Sequence, residues 1–279
     1  MPYPILPASF RGRRGVHPRN ALLLFVVLLP GFGQSTAHAQ VEPSDPYRFV
    51  AWTVEDGRAL AGHAASRKAL YGGAALGGLL VVLSWQDARL TSGAVDLADG
   101  LYRPVLTTAN EIGNVKVVQP MALMLFLGSL TSRSTRMQDA AFTSLEALVF
   151  ANTITDVLKG LVGRHRPTEG DNAHVFVPFS GHRSFPSGHA TTVFAFTTPW
   201  LLYYGNARTA VLFLMGTGTA FTRMADRQHW FTDVVAGTAI GFTTAFWLTR
   251  RHRQGAAEGL SVAPTLAGGR LGLALRMEL

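Results

Sequence analysis

Three short clusters between Lys159 and Asp233 combine residue types that bind or attack phosphate: Lys159 with Arg166-Pro167, then Phe185-Pro186-Ser187-Gly188-His189, then Arg223 with His229 and Asp233. Pro186 cannot continue a preceding helix, and the run from His189 to Tyr204 is mostly apolar, so a helix is predicted to begin at about Ser187. Ser187 then becomes an N-cap candidate. Free amides at a helix start, a hydroxyl donor and a small Gly188 that lets a ligand approach the main chain together make an anion site, with His189 in the first turn beside it. Lys159 closes a long apolar run and Arg166 precedes a proline, which reads as a helix end delivering cations into a loop: a point charge from Lys159 and a planar fork from Arg166. His229 and Asp233 are four residues apart, a spacing that on a helix puts them on one face, one turn apart. A carboxylate bonded to one imidazole nitrogen would fix the tautomer and leave the other nitrogen free to attack.

Lys159 with six residues before Arg166-Pro167, Pro186-Ser187-Gly188-His189, and Arg223 with five residues before His229 and three more before Asp233 resemble the three-part signature of the type 2 phosphatidic acid phosphatase and vanadium haloperoxidase superfamily. All three parts occur in order, and the resemblance spans about residues 69 to 250. One departure is Thr222, where the family usually has serine before the arginine; threonine keeps the hydroxyl. The resemblance implies that His229 is the nucleophile that forms a phosphohistidine, Asp233 its orienter, and His189 the general acid that protonates the leaving oxygen. It implies that Lys159, Arg166, Ser187, the Gly188 amide and Arg223 hold the phosphoryl oxygens. It implies no cofactor and no divalent metal, since three cations neutralise the developing charge.

Taken singly, each cluster has a plainer reading. Basic residues at the end of an apolar helix anchor it at an interface, a lone histidine near a helix start is a solvated cap, and a His/Asp pair at i, i+4 is an ordinary surface pair worth a few tenths of a kcal/mol. Three ordered clusters at matched spacing outweigh these readings. Arg164, His165, His182 and Arg183 border the clusters and are read as surface residues.

The chain has 279 residues, 48% of them apolar, enough for one substantial core. The net charge of +8 is concentrated at the start: Arg11, Arg13, Arg14 and Arg19 lie in the first 39 residues, where there is no acid. Without that segment 21 basic residues stand against 17 acidic ones, a balance of +4, and no stacking motif supports nucleic-acid binding. The absence of cysteine excludes disulfides, thiol catalysis and cysteine metal sites.

Residues 1–39 read as a secretory signal peptide: basic Arg11 to Arg19, an apolar run from Ala21 to Leu29, and Ala37-His38-Ala39 as the small-x-small cleavage site. Residues 40–68 form a polar lead-in with a short surface helix from about Thr53, residues 69–253 a helical bundle, and residues 254–279 a tail. The predicted fold is all-α, with six apolar segments: Ala69 to Trp85, Val117 to Leu130, Ala140 to Val162, Ala190 to Tyr204, Ala210 to Thr222 and Val234 to Leu248. Gln86 to Lys116 is expected to be a mixed loop with a short helix. In the tail, Leu271, Leu273, Leu275, Met277 and Leu279 alternate with smaller or polar residues, which predicts a short C-terminal β-hairpin against Ser261 to Leu266; a frayed low-complexity tail is the alternative.

The motifs fall at segment ends that a bundle gathers at one end. Several segments are short of the ~20 residues a span needs, and the mean hydropathy of +0.19 is modest. Charge placement nevertheless favours spanning: Arg133, Arg136, Arg208, Arg250, Arg251 and Arg253 lie at the end opposite the motifs, which the positive-inside rule makes cytoplasmic. The expected location is the bacterial inner membrane with the site facing the periplasm, although a cleaved signal would put residue 40 outside while six spans want it inside. The expected activity, carried by the resemblance, is hydrolysis of a phosphate monoester or diphosphate on a membrane lipid of the phosphatidic acid, phosphatidylglycerol phosphate, polyprenyl diphosphate or lipid A type. The alternatives are a soluble periplasmic acid phosphatase, a vanadate haloperoxidase and a non-catalytic lipid-binding scaffold.

Overall fold

The computed structural model describes residues 47–64, 66–100, 106, 110, 113–257, 261–267 and 270–276. The signal peptide read over residues 1–39 lies outside these residues. The helices are α1 (Arg48–Ala64), α2 (Arg67–Ser84), α3 (Asp87–Gly100), α4 (Val115–Ser129), α5 (Thr135–Val162), α6 (Gly188–Tyr204), α7 (Ala207–Ala225) and α8 (Phe231–Ala257). The all-α bundle expected from the apolar periodicity is present, with two corrections. The lead-in helix, expected to be short, on the surface and to start at about Thr53, runs from Arg48 to Ala64 and buries Phe49 and Asp56. The span from Gln86 to Lys116, expected as a loop with a short helix, contains the fourteen-residue helix α3.

Helix boundaries follow local chemistry. Ser66, Asn114, Ser134 and Asn206 each cap a helix start by accepting a hydrogen bond from a backbone amide two or three residues on, and Asn206 and Thr209 do so reciprocally as a capping box. Helix α5 stops at Gly163, whose φ of 56° only a residue without a side chain adopts easily; a Cβ there would also lie 1.8 Å from the Val177 carbonyl oxygen.

Helix α6 is the axis of the bundle. From Ala190 to Trp200 every residue is buried, as expected of a helix that is apolar all round. It packs against α4, α5, α7 and α8, and three polar contacts tie it to α5: Thr191 with Thr155 at 2.9 Å, Thr192 donating to Asn152 at 3.0 Å, and Ser144 donating to the Phe196 backbone oxygen at 3.1 Å. Helix α8 crosses α6 so closely that Gly237 and Gly241 face the backbone oxygens of Ser187 and Thr191. That crossing ties the start of α6 to the start of α8, where the second and third clusters sit.

Helix α2 is different: none of its residues is buried, and Leu70, Tyr71, Leu79, Val81 and Val82 are exposed. Exposed apolar side chains continue on α4 (Leu123, Met124, Leu127), α5 (Val149, Val157, Leu161), α7 (Val211, Leu214) and α8 (Phe242, Phe246). Among the described residues one stretch, Phe231–Arg253, is long and apolar enough to cross a membrane; α2 with Asp87–Asp99 passes only as a pair bent by 67°. The hairpin expected of the tail is present: β1 (Ser261–Ala267) pairs antiparallel with β2 (Arg270–Arg276), Ser261 opposite Arg276 and Ala267 opposite Arg270.

The α6–α8 crossing gives a direct test. A Cβ at position 241 would lie 2.3 Å from the Thr191 oxygen and 3.0 Å from the Ala195 nitrogen, whereas one at Gly78 would meet nothing within 4 Å. Gly241→Ala is expected to destabilise the fold by about 1–3 kcal/mol through overpacking, and Gly78→Ala to cost nothing or to stabilise by up to about 1 kcal/mol; thermal melts of the two variants check the contrast.

Candidate active site

The site is assembled from the end of α5, the loop from Gly163 to Ser187, the start of α6, and the turn joining α7 to α8. Lys159 lies in the last turn of α5, 7% exposed, and donates from Nζ to the backbone oxygens of Pro186 at 2.5 Å and Arg183 at 2.9 Å. These bonds fasten the cation to the segment that leads into α6. Ser187 is the N-cap of that helix, as its position after Pro186 predicts, and its amide donates to the Asp233 backbone oxygen at 2.9 Å. Its hydroxyl does not cap: the residue is fully buried and Oγ has no hydrogen-bond partner. A buried hydroxyl normally finds a partner, so this one is poised for a group that enters from outside the chain. At Gly188 a Cβ would meet only Lys159 Cε, at 3.7 Å, which leaves the helix start approachable. His189 follows in the first turn, half-buried. Lys159, Arg166, Arg223 and His229 all act electrostatically on it, so the three clusters that are far apart in sequence share one neighbourhood.

His229 differs from its sequence reading. Helix α8 begins at Phe231, so His229 precedes the helix and does not share a helical face with Asp233. Its Nδ1 hydrogen-bonds to the backbone oxygen of Ser184 at 2.7 Å, while the Asp233 carboxylate is 3.8 Å away. Because a carbonyl only accepts, Nδ1 carries the hydrogen and Nε2 keeps its lone pair. Asp233 acts at one remove: Oδ2 accepts from the Ser184 hydroxyl at 2.5 Å and from the Trp230 amide at 2.9 Å, fixing both the loop that supplies the carbonyl and the residue after His229. His229 is 2% exposed, and burial pushes its pKa down to about 4 against the opposing pull of the Asp233 charge. It is therefore a neutral base over most of the pH range.

Arg164, read from the sequence as a surface residue, is 2% exposed and sits at the centre of the support. Nη1 donates to Asp233 Oδ1 at 2.6 Å and Thr232 Oγ1 at 2.8 Å; Nη2 donates to Asp87 Oδ2 at 2.6 Å; Nε and Nη2 both reach the Ala173 oxygen. Asp87 also accepts from the Thr232 amide and hydroxyl. The error has a physical source: Arg164 and Arg166 flank the same histidine, and nothing local separates a buried arginine from an exposed one. The surface reading holds better for Arg183, half-exposed and paired with Asp156, while His165 and His182 are partly buried beside Glu169. Asp87, Ser184, Gln228, which accepts from Arg166 Nη1 at 2.6 Å, and Asn110, which accepts from Arg223 Nη1 at 2.9 Å, also escaped the sequence reading. Asp87 is the one with a local signal, as an acid in the first turn of a helix.

Removing Arg164 strands two carboxylates, Asp87 and Asp233, both fully buried. Arg164→Ala is expected to cost about 3–5 kcal/mol, and Arg166→Ala, at a partly exposed position, no more than about 0.5 kcal/mol; equilibrium denaturation of both variants measures the difference.

Residues 140–255 match the model of the PAP2 superfamily. The lipid A 1-phosphatase of Rhizobium etli is 38% identical to this chain over 102 residues, which is 34% of this chain and 42% of that protein. A PA-phosphatase related-family protein of Dictyostelium discoideum is 30% identical over 123 residues, 37% of this chain and 45% of that protein. The chain thus spans under half the length of these curated relatives. Two crystal structures resemble the bundle at a TM-score of 0.41. Aquifex aeolicus LpxE is 19% identical, with 59% of this chain and 94% of that one covered. The transmembrane PAP2 type phosphatidylglycerolphosphate phosphatase of Bacillus subtilis is 18% identical, with 75% and 97% covered. The stretch that matches the PAP2 superfamily model contains Lys159, Arg166, Ser187, Gly188, His189, Arg223, His229 and Asp233, so every residue of the candidate site falls within the part of the chain that is similar to that family.

Proposed function

We propose that the protein is a phosphatase that removes a phosphate from a membrane lipid through a phosphohistidine. The observation that carries this reading is the union of the unpartnered Ser187 hydroxyl, a helix start and three cations around two imidazoles, one of which has its lone pair exposed by the Ser184 carbonyl. In the first step His229 Nε2 attacks phosphorus, the bond to the leaving oxygen breaks, and His189, whose pKa burial and the surrounding cations push down to about 3 and the negative charge of the bound phosphate raises again, gives that oxygen a proton. In the second, water attacks the phosphohistidine, His189 takes the proton back, and inorganic phosphate leaves with His229 restored. Lys159, Arg166, Arg223, the Ser187 hydroxyl and the Gly188 amide hold the equatorial oxygens as charge spreads over them. Asp233 and Arg164 keep the loops rigid.

A lipid substrate is supported by the exposed apolar side chains on α2, α4, α5, α7 and α8, which suit a hydrocarbon surround better than water. It is supported too by the lipid substrate in the name of the Rhizobium etli relative. Arg133, Arg136, Arg208, Arg250, Arg251 and Arg253 gather at the opposite end, which by the positive-inside rule faces the cytoplasm and turns the site toward the periplasm. A soluble periplasmic phosphatase is the second reading, favoured by the single helix of spanning length among the described residues; release by osmotic shock without detergent would select it.

His229→Ala is expected to lower kcat by at least about 10³-fold with little change in melting temperature. Brief reaction of the wild type with a ³²P-labelled lipid phosphate should trap an acid-labile phosphoenzyme that the variant lacks. Full activity in His229→Ala would end the proposal. The pH profile gives an independent check. With the His229 pKa near 4, the nucleophile stays neutral well below the ordinary imidazole range, so the acid limb of kcat/KM that belongs to it should fall as pH drops through about 4 and not through about 6.5.

A further inference from the structure

Away from the phosphate site, three buried side chains from three helices meet: Asp56 of α1, Glu146 of α5 and His252 of α8, 2%, 5% and 2% exposed. Glu146 precedes Lys159 by thirteen residues on α5 and His252 follows Asp233 by nineteen on α8, so the cluster lies roughly 20–28 Å along the helices from the phosphate site. His252 Nε2 is 2.7 Å from Asp56 Oδ2 and 3.4 Å from Glu146 Oε2, and one ligand atom from each residue fits within 4.8 Å of the others. Neither oxygen of Glu146 has a hydrogen-bond partner, although both are buried.

The hydrogens around His252 define the problem. Thr143 has one hydroxyl hydrogen and two acceptors in reach, the Asp139 oxygen at 2.6 Å and His252 Nδ1 at 2.7 Å; when the hydrogen goes to Asp139, the hydroxyl accepts from Nδ1. Nδ1 then carries a hydrogen, and a neutral His252 turns the lone pair of Nε2 into the two carboxylates. An imidazolium would satisfy Asp56, and a Glu146 kept protonated by its burial would carry its own donor, but neither engages all three side chains together. A cation satisfies all three at once. Metal–ligand bonds of about 2.0–2.2 Å put neighbouring ligand atoms roughly 3.0–3.5 Å apart; the His252–Glu146 separation of 3.4 Å already fits, and the 2.7 Å contact of His252 with Asp56 opens slightly when an ion enters. The outer partners are also of the kind that orient ligands: Thr143 behind His252, Arg251 Nε on the other oxygen of Asp56 at 2.5 Å, and Trp52 stacked on the imidazole with centroids 4.1 Å apart.

We propose that Asp56, Glu146 and His252 form a structural binding site for a divalent transition ion of the Zn²⁺ or Mn²⁺ kind, which pins α1 to α5 and α8. One imidazole and two carboxylates suit such ions. The ion takes no part in the phosphate chemistry, and the proposal does not depend on that reading. Metal content and Zn²⁺ or Mn²⁺ titration of the purified full chain test it, in a His182→Ala background that silences the partly exposed His165–Glu169–His182 group. One equivalent of metal and a metal-dependent rise in melting temperature are expected, both retained in His229→Ala. Glu146→Gln, which keeps the shape, should weaken binding at least about 100-fold and abolish the rise, and Thr143→Val should weaken it about 10–100-fold. Less than about a tenth of an equivalent bound by the parent chain, or unchanged affinity in Glu146→Gln, would overturn the site and leave an ion-pair network only.

Discussion

Three charges without access to water, Asp87, Arg164 and Asp233, set the constraint under which the rest of this molecule is arranged. An ion moved from water into a protein interior loses several kcal/mol of hydration, and only close, geometrically matched partners recover it. The guanidinium fork meets that demand by reaching Asp87 at the start of α3, Asp233 and Thr232 at the start of α8, and the Ala173 oxygen in the loop between α5 and α6. Three segments, the loop that carries Arg164 and the starts of α3 and α8, are thereby held in fixed relation. The apolar core fixes where the helices run, and the ion triad fixes where their ends stop.

The bundle then delivers the reactive groups from helix ends, where backbone groups are free. The start of α6 offers amides and the Ser187 hydroxyl; the end of α5 offers Lys159; the turn into α8 offers His229. The close crossing of α6 and α8 at Gly237 and Gly241 brings the first and third of these together without intervening side chains. In a bundle whose helices have their polar ends at one pole, a polar pocket forms with no cost to the apolar middle.

The parts of this arrangement that were legible in the sequence were those with a short-range cause. Pro186 and the apolar run after it give the start of α6, the close of an apolar run ahead of Arg166-Pro167 gives the end of α5, and alternating leucines give the hairpin. The spacing of the clusters identified the residues that gather around His189. What was not legible was non-local. Arg164 and Arg166 differ only in which side of a loop they emerge from, and Asp87 is separated from its partner Arg164 by 77 positions. The four-residue interval between His229 and Asp233 suggested a shared helix, but the helix starts between them, because Asp233 spends one oxygen on the Trp230 amide, and the imidazole turns to a main-chain acceptor instead.

That acceptor has an implication for how such a site drifts and how it can be redesigned. The oxygen that sets the tautomer of His229 belongs to the peptide unit of Ser184, so exchanging the side chain at 184 leaves it in position while the Asp233 contact is lost or kept according to the new group. Imidazole orientation is therefore written into the path of the main chain, out of reach of substitution matrices and of alanine scanning. Reorienting the ring demands a change in loop length or peptide plane between 164 and 187, and a library confined to point replacements would never sample it.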